Sequence, residues 1–269
     1  MNYNRRPQKS NVPLVFGVNP IEEALNAGKE IEKILIQKGI AKEKIRSILD
    51  EARKRRIPIS EVPIQKMNQW VSKPHQGIIA FLALISYHSL DAIIDSTFEA
   101  GKDPIILALD NVTDVRNFGA ISRSAEAMGV DAIVIPVKGG AMINGDAIKT
   151  SAGALNHIPV CRESKLESAI LHMKNRGLRI ISCTEKSNSE LSNTDLKGPI
   201  CIVLGAEDTG ISKEILSISD DITAIPMLGK IGSLNVSVAS GVILYEALKQ
   251  RTTQRYIDKK RINYGLQRL

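Results

Sequence analysis

Residues 105–129 read IILALDNVTDVRNFGAISRSAEAMG, and this stretch decides the fold class. Its apolar opening, Ile105 to Leu109, predicts a buried strand, and the polar residues that follow predict a loop into a helix. Asn117 is the predicted N-cap of that helix, and Gly129 is its predicted end. Because open α/β sheets bind ligands where strands end in loops before helices, this loop is a candidate binding site.

Strand and helix patterns alternate from residue 104 to residue 250, which predicts a parallel sheet with helices on both faces. The predicted strands cover residues 105–109, 132–135, 178–183, 200–204 and 222–225. The predicted helices cover residues 117–128, 146–155, 164–176, 211–218 and 235–250. The sequence therefore predicts the α/β class for this part of the chain.

A smaller α/β unit is predicted before this sheet. Its predicted strands lie near residues 34–36, 57–59 and 77–85, and its predicted helices cover 21–27 and 40–56. The domain prediction comprises a flexible basic arm (1–12), this small unit (13–87), a linker (88–103), the parallel-sheet domain (104–250) and a basic tail (251–269).

The net charge of +7 is concentrated at the two ends of the chain. Residues 1–60 hold 13 Lys and Arg against 7 Asp and Glu, and residues 249–269 hold 7 against 1, so the body between them has a net charge of −5. Basic ends are typical of nucleic-acid binding, with solvated termini as the alternative. Aromatic residues make up only 4% of the chain, so an aromatic stacking platform is not expected as the main mode of RNA recognition.

The remaining composition excludes several classes of protein. Three separated cysteines and four histidines without ligand spacing predict reduced thiols and no metal site. The longest apolar run, residues 78–85, is too short to cross a membrane, and residues 1–13 lack the apolar core of a signal peptide, so a cytoplasmic protein is expected. Neither the G-x-G-x-x-G pattern nor a phosphate loop occurs, so a nucleotide-like cofactor would need another cradle.

Two glycine-containing stretches after predicted strands could form such a cradle. Residues 202–212, IVLGAEDTGIS, place Glu207 and Asp208 in a strand-to-helix turn, where solvated acids are the alternative interpretation. Residues 225–248, IPMLGKIGSLNVSVASGVILYEAL, join a glycine-rich loop to a helix that opens with small residues. Because glycine and serine lower helix propensity, a close neighbour is expected at this backbone, either a ligand or another part of the fold.

Together the three stretches resemble the motifs of the SpoU/TrmH family of RNA ribose 2′-O-methyltransferases in the SPOUT superfamily. FGVNPIEEAL (16–25) and HQGIIA (75–80) extend the resemblance over the smaller unit, which is similar to the family's ribosomal-protein-like substrate-binding domain. The resemblance implies S-adenosylmethionine as cofactor, RNA as substrate, a homodimer, no metal and a trefoil knot in the carboxy-terminal part. It is greatest to members that methylate a guanosine of 23S rRNA, although members acting on tRNA share the motifs.

The resemblance also implies roles for individual residues. The positions that match the family's catalytic residues are Asn117, Arg123, Glu207, Ser233 and Asn235. The positions that match its cofactor loops are Leu204, Gly205, Ala206, Gly210, Ile225, Met227, Ser233 and Leu234. Val115 stands where many members have proline, a departure that loosens the turn and touches no reactive group.

The chemistry of ribose methylation fits these residue types. A ribose 2′-hydroxyl is a weak nucleophile, so it must be aligned with an activated methyl group while negative charge develops on its oxygen. The asparagines and the serine are expected to hold the ribose, and Glu207 to anchor the donor or orient Arg123. Arg123 is expected to stay protonated and stabilise the oxyanion, in its own subunit or across a dimer.

Two other functional classes stay open at this point. One is a non-catalytic RNA-binding or ribosome-assembly protein with the same fold, which the five filled polar positions disfavour. The other is a nucleotide-binding regulator, which the missing phosphate loop disfavours.

Overall fold

The computed structural model describes residues 13–266, with side chains described up to residue 252. Its strands are β1 (Leu14–Phe16), β2 (Ile31–Gln37), β3 (Ile59–Val62), β4 (Ile78–Leu82), β5 (Ile105–Asp110), β6 (Ala132–Pro136), β7 (Val160–Glu163), β8 (Arg179–Cys183), β9 (Ile200–Gly205) and β10 (Asp221–Thr223). Its α-helices are α1 (Val18–Asn26), α2 (Arg46–Lys54), α3 (Ile64–Asn68), α4 (Leu90–Glu99), α5 (Val115–Ala127), α6 (Gly145–Thr150), α7 (Leu166–Asn175), α8 (Lys213–Ile218) and α9 (Val236–Leu266).

The larger sheet is parallel throughout, as the alternating pattern predicts, and its strand order is β10-β8-β9-β5-β6-β7. The two middle strands, β5 and β9, are apolar along almost their whole length because helices cover both faces of the sheet. Asp110 at the end of β5 pairs with Gly205 at the end of β9. The loops after these strands therefore leave the sheet side by side, at the edge where α/β sheets bind ligands.

The smaller sheet has the order β1-β4-β2-β3 and is mixed, with only β2 and β3 parallel. Helices α1 and α2 cover one face through a core rich in isoleucine, and the segment around α3 covers the other face through Met67 and Phe81. A basic outer surface remains on and beside α2, where Lys42, Lys44, Arg46, Arg53 and Lys54 are exposed. Because these cations belong to the basic amino-terminal end of the chain, the surface is a candidate RNA surface.

The predicted linker, 88–103, requires correction. It contains helix α4, whose N-cap Ser89 accepts a hydrogen bond from the backbone N–H of Ala92. Leu90 and Ile94 of α4 are buried in the core of the larger sheet. The mixed polarity of this segment is that of an amphipathic helix and not of a linker.

The chain divides into two compact units whose boundaries differ from the predicted ones. The first ends at Ser86 and also includes residues 142–148, and the second comprises residues 87–141 and continues from Lys149. The predicted basic arm, 1–12, lies outside the described residues. Within the predicted tail, residues 251–266 continue helix α9.

The start of α5 also differs from the prediction. Its N-cap is Asp114, not Asn117, because the Asp114 carboxylate accepts hydrogen bonds from the backbone N–H groups of Arg116, at 2.9 Å, and Asn117, at 2.7 Å. The Asn117 side chain is therefore free for contacts outside its own helix. The predicted end holds, since Gly129 follows the helix with φ of 75°.

Two other elements also differ from the sequence prediction. The predicted helix 146–155 ends at Thr150, because Ala152 and Gly153 adopt positive φ. Strand β7, at the edge of the larger sheet, was not predicted. Its short sequence, VCRE, is too brief to show a period.

Candidate active site

A tight turn at the end of β9 forms one wall of the candidate site. Ala206 and Gly210 pair as an isolated bridge, with the Gly210 N–H donating to the Ala206 carbonyl at 2.8 Å. A Cβ atom on Gly205 would lie 2.2 Å from the carbonyl carbon of Gly210, so only glycine fits. The turn therefore folds back on itself and presents Glu207 and Asp208 at its tip.

Asp110 fixes the base of this turn from the neighbouring strand. Its buried carboxylate accepts a hydrogen bond from the backbone N–H of Ser212 at 2.7 Å and one from Asn111 Nδ2 at 2.8 Å. A buried carboxylate is stabilised by such donors. No local sequence pattern predicts this contact, because it joins residues 102 positions apart.

Three of the predicted catalytic residues form one hydrogen-bonded cluster, which we call the amide–carboxylate cluster: Asn117, Glu207 and Asn235. Asn117 Nδ2 donates to Glu207 Oε1 at 3.1 Å, and Asn235 Nδ2 donates both to Asn117 Oδ1 at 3.1 Å and to Glu207 Oε1. The backbone N–H of Val236 adds a further donor to Glu207 Oε1 at 3.3 Å. The structure thus brings together residues from α5, from the turn after β9 and from the start of α9.

Asn235 is oriented by the helix that it caps. Its Oδ1 accepts hydrogen bonds from the backbone N–H of Ser237 at 3.0 Å and from the Ser237 hydroxyl at 2.5 Å. An N-cap residue uses its side-chain oxygen in this way. Because the oxygen faces the helix, the amide nitrogen faces Glu207, which settles the orientation of the amide through its hydrogen bonds.

A cleft lies beside this cluster. Every predicted cofactor position lines it, as does Glu207: Leu204, Gly205, Ala206, Gly210, Ile225, Met227, Ser233 and Leu234. It is also lined by residues that sequence reasoning missed: Cys183, Thr184, Glu185, Ile211, Val236, Ala239 and Ile243. Thr184 and Glu185 follow β8, which lies beside β9 in the sheet. Because the loops after neighbouring parallel strands leave the same edge, this pairing could have identified both residues.

Among the described residues, the other two predicted catalytic residues form no hydrogen bond with the amide–carboxylate cluster. Ser233 is exposed on the loop before α9 and lines the cleft. Arg123 is exposed on α5, and six residues at 100° each place it about 120° around the helix from Asn117. Among the described residues Arg123 makes no ion pair, with Glu207 or any other acid. Its catalytic role stays a prediction.

The described residues contain no group of three or more His, Cys, Asp or Glu side chains placed to hold a metal ion. Among them, no helix combines the length and the apolar character needed to cross a membrane.

The second unit is an α/β domain with a cleft at the carboxyl edge of its parallel sheet, which is where such domains bind ligands. Residues 104–245 match the model of the SpoU rRNA Methylase family, and residues 14–88 match the model described as RNA 2′-O ribose methyltransferase substrate binding. The chain belongs to the SpoU rRNA methylase family and is an RNA ribose 2′-O-methyltransferase of the SpoU/TrmH type.

Known relatives and structures support this assignment. The Bacillus subtilis protein named TrmH family tRNA/rRNA methyltransferase YacO is 32% identical, over 88% of this chain and 95% of its own length. The A. aeolicus TrmH/SpoU tRNA modifying enzyme is 31% identical over 61% of this chain and 86% of that one, with a TM-score of 0.53. AviRb from Streptomyces viridochromogenes, crystallised with AdoMet, shares the fold at 24% identity, with a TM-score of 0.58 and coverage of 94% and 95%.

Proposed function

We propose that this chain transfers the methyl group of S-adenosylmethionine to the ribose 2′-hydroxyl of a guanosine in 23S rRNA, in the cytoplasm. The observation that carries the proposal is the amide–carboxylate cluster at the rim of the cleft, where two amides and a carboxylate converge from three separate elements. Amide and carboxylate groups bind sugar hydroxyls by hydrogen bonds, and the cleft beside them lies at the sheet edge where α/β domains bind ligands.

The lining of the cleft fits S-adenosylmethionine. Leu204, Ile225 and Leu234 provide apolar surface for the adenine ring, and the turn around Gly205 exposes backbone groups for its polar edges. Glu185 and Glu207 add negative charge beside a ligand that carries a positive sulfonium. When bound, S-adenosylmethionine supplies a methyl group that is already activated for transfer.

The residues of the chain then align the acceptor, which is the ribose 2′-hydroxyl. Glu207 receives its donors on Oε1, and Oε2 has no hydrogen-bond partner among the described residues. We infer that Oε2 accepts a hydrogen bond from a ribose hydroxyl, while the Asn117 and Asn235 amides keep the carboxylate in place. Such alignment is the main contribution that an enzyme can make to an in-line transfer.

Arg123 is proposed to stabilise the developing oxyanion while water or a phosphate oxygen receives the proton, since a guanidinium stays charged at neutral pH. Its position about 120° around α5 from Asn117 favours action across a homodimer. Arg123→Lys is expected to retain measurable single-turnover activity, and Arg123→Ala to lose nearly all of it. Mixed dimers of Arg123→Ala and Asn235→Ala should recover part of the activity, and no recovery in proven heterodimers would contradict action across the dimer.

The proposed homodimer has a candidate surface on α9. Val238, Val242 and Tyr245 are 53%, 39% and 60% exposed and lie on one face of the helix, since their spacing is four and three residues. Val242→Lys with Tyr245→Lys should give a monomer in light scattering. Leu171→Lys, which charges an exposed leucine on α7, is the control and should leave the mass unchanged. The trefoil knot that the family implies stays a prediction.

The first unit is proposed to bind RNA through its exposed basic surface. Replacing Lys42, Lys44 and Arg46 by Gln should weaken RNA binding. It should also make the slope of log K against log salt concentration shallower, by the equivalent of up to about three phosphate contacts. S-adenosylmethionine affinity should not change. The matched control replaces three exposed lysines of the other unit, Lys102, Lys165 and Lys197. An equal loss in the control would show that binding is not localised to this surface.

Two experiments test the function itself. Isothermal titration with S-adenosylmethionine separates an enzyme from a non-catalytic RNA-binding protein, which would show no heat of binding. Mapping of 2′-O-methylation in total RNA from a deletion strain identifies the target. A lost mark at a 23S rRNA guanosine supports the proposal, and a lost mark in tRNA supports the alternative that the tRNA/rRNA names of the relatives keep open.

A further inference from the structure

A second cleft adjoins the turn that follows β9. It shares Ala206 and Gly210 with the first cleft and is lined in addition by Asn111, Thr113, Asp208, Thr209 and Ser212. The two clefts are therefore adjacent and share one short turn. A methyl transfer needs such an arrangement, because the donor and the acceptor must meet at close range.

The side chains of the second cleft are those of a polar recognition site with one charge. Asp208 supplies its only ionisable group, and the rest of its polar lining consists of an amide, hydroxyls and backbone. Asp208 is exposed, and its carboxylate forms no hydrogen bond or ion pair with any described residue. The cleft contains no cation that would hold a phosphate, so its chemistry suits a neutral group that donates hydrogen bonds.

The walls of the second cleft are held in place before any ligand binds. Asn111 adopts a left-handed φ of 56°, and its amide is held by Asp110 at 2.8 Å. Ser212 is held by the same carboxylate. A Cβ atom on Gly139 would lie 2.5 Å from Asn111 Oδ1, so a neighbouring loop also packs closely on this side chain. Side chains that are held in place before a ligand binds are typical of sites that discriminate between ligands.

We propose that the second cleft receives the base of the target nucleotide and that Asp208 selects guanine. This inference rests on the proposed function. Among the four RNA bases only guanine presents two adjacent donors, N1–H and the 2-amino group, on its Watson–Crick edge, and a carboxylate accepts both. Uracil places its single N–H between two carbonyl oxygens, which a carboxylate repels. Adenine and cytosine place an acceptor nitrogen beside their amino group.

The test uses short RNAs centred on the mapped nucleotide, with guanosine, inosine or adenosine at that position. Inosine lacks only the 2-amino group, so the wild-type enzyme should methylate it roughly 10- to 100-fold more slowly in kcat/KM than guanosine, as expected for one lost hydrogen bond to a charged group. Asp208→Asn should lose the preference for guanosine over inosine. It should also gain on adenosine, because an amide can donate to adenine N1 and accept from its amino group.

Two controls separate base selection from other effects. S-adenosylmethionine affinity should be the same in wild type and Asp208→Asn, because Asp208 does not line the first cleft. Glu167→Gln removes the same charge from an exposed position on α7 and should keep the wild-type preference. A merely structural role for Asp208 would lower all rates together without changing the ratio between bases.

The possible failures are distinguishable. If the enzyme binds S-adenosylmethionine and methylates RNA, but treats guanosine and inosine alike or keeps its preference in Asp208→Asn, the role of Asp208 is refuted and the proposed function stands. A mapped target other than guanosine also overturns it. If the wild-type protein neither binds S-adenosylmethionine nor methylates RNA, both proposals fail.

Discussion

Replacement of Asn235 by aspartate separates its two roles. The Oδ1 atom caps α9 by accepting from Ser237, and the Nδ2 atom donates to Glu207 and Asn117. Asn235→Asp keeps the capping oxygen, and aspartate is as good an N-cap as asparagine, with the added attraction of the helix dipole. It removes the donor and places a second carboxylate against Glu207.

The expected losses of stability and activity in Asn235→Asp follow from the contacts that change. Two unit charges about 4 Å apart repel by about 1 kcal/mol in water and about 4 kcal/mol at a protein surface of effective dielectric 20. Because both side chains are exposed, the lower part of this range applies. The lost donor removes two hydrogen bonds of about 1 kcal/mol each. We expect a loss of about 2–4 kcal/mol in unfolding free energy, and a loss in methyl transfer of about 100-fold or more because Glu207 leaves its aligned position.

The pH dependence gives the sharper test. Two carboxyls in this space retain a proton to higher pH than they do in the unfolded chain, so the folded variant binds more protons than its unfolded state. Its stability deficit relative to wild type should therefore grow as pH rises from about 4 to about 6 and shrink on acidification.

Urea unfolding of both proteins across this pH range measures the stability deficit, and transfer of a labelled methyl group at neutral pH measures activity. Asn193→Asp introduces the same charge at an exposed asparagine outside the site and should change neither. A deficit that does not depend on pH, or near-normal activity, would refute the alignment argument.

Three further predictions concern the support of the site. Gly205→Ala should unfold at a clearly lower temperature and lose S-adenosylmethionine binding, because its Cβ would lie 2.2 Å from the carbonyl carbon of Gly210. Gly145→Ala is the control, since the space around Gly145 is open, and it should change neither the unfolding temperature nor the binding. Asp110→Ala should cost about 1–3 kcal/mol in urea unfolding by leaving the Ser212 N–H without its acceptor. Burial raises the pKa of the Cys201 thiol, so iodoacetamide at pH 8 should label it only in the unfolded protein, as mass spectrometry can show.

The sheet could be predicted from the sequence because each central strand is an apolar run of a length that only a buried strand explains. The N-cap of α5 could not, since Asp114 and Asn117 are both good capping residues and only the backbone geometry decides between them. That decision matters for function, because the residue that does not cap the helix is the one that reaches Glu207. Helix α4 was missed because its buried residues are few and widely spaced.

The site was predictable in its residue types and not in its contacts. The glycines and polar residues of the two later motifs indicated a cradle, but the sequence could not show that Asn117 and Asn235, 118 positions apart, share one carboxylate. Nor could it show that Arg123 stands away from them. Contacts of this kind depend on how loops from different strands converge, which local patterns do not encode.

The turn from Gly205 to Gly210 explains why so much of the site depends on so few residues. Its two faces belong to the two clefts, and its tip carries Glu207 toward one and Asp208 toward the other. Because adjacent side chains at the tip of a tight turn cannot move independently, the proposed donor site and the proposed base site share one backbone segment. Asp110 holds the end of this backbone from the neighbouring strand, so the register between β5 and β9 positions the turn on which both proposals depend.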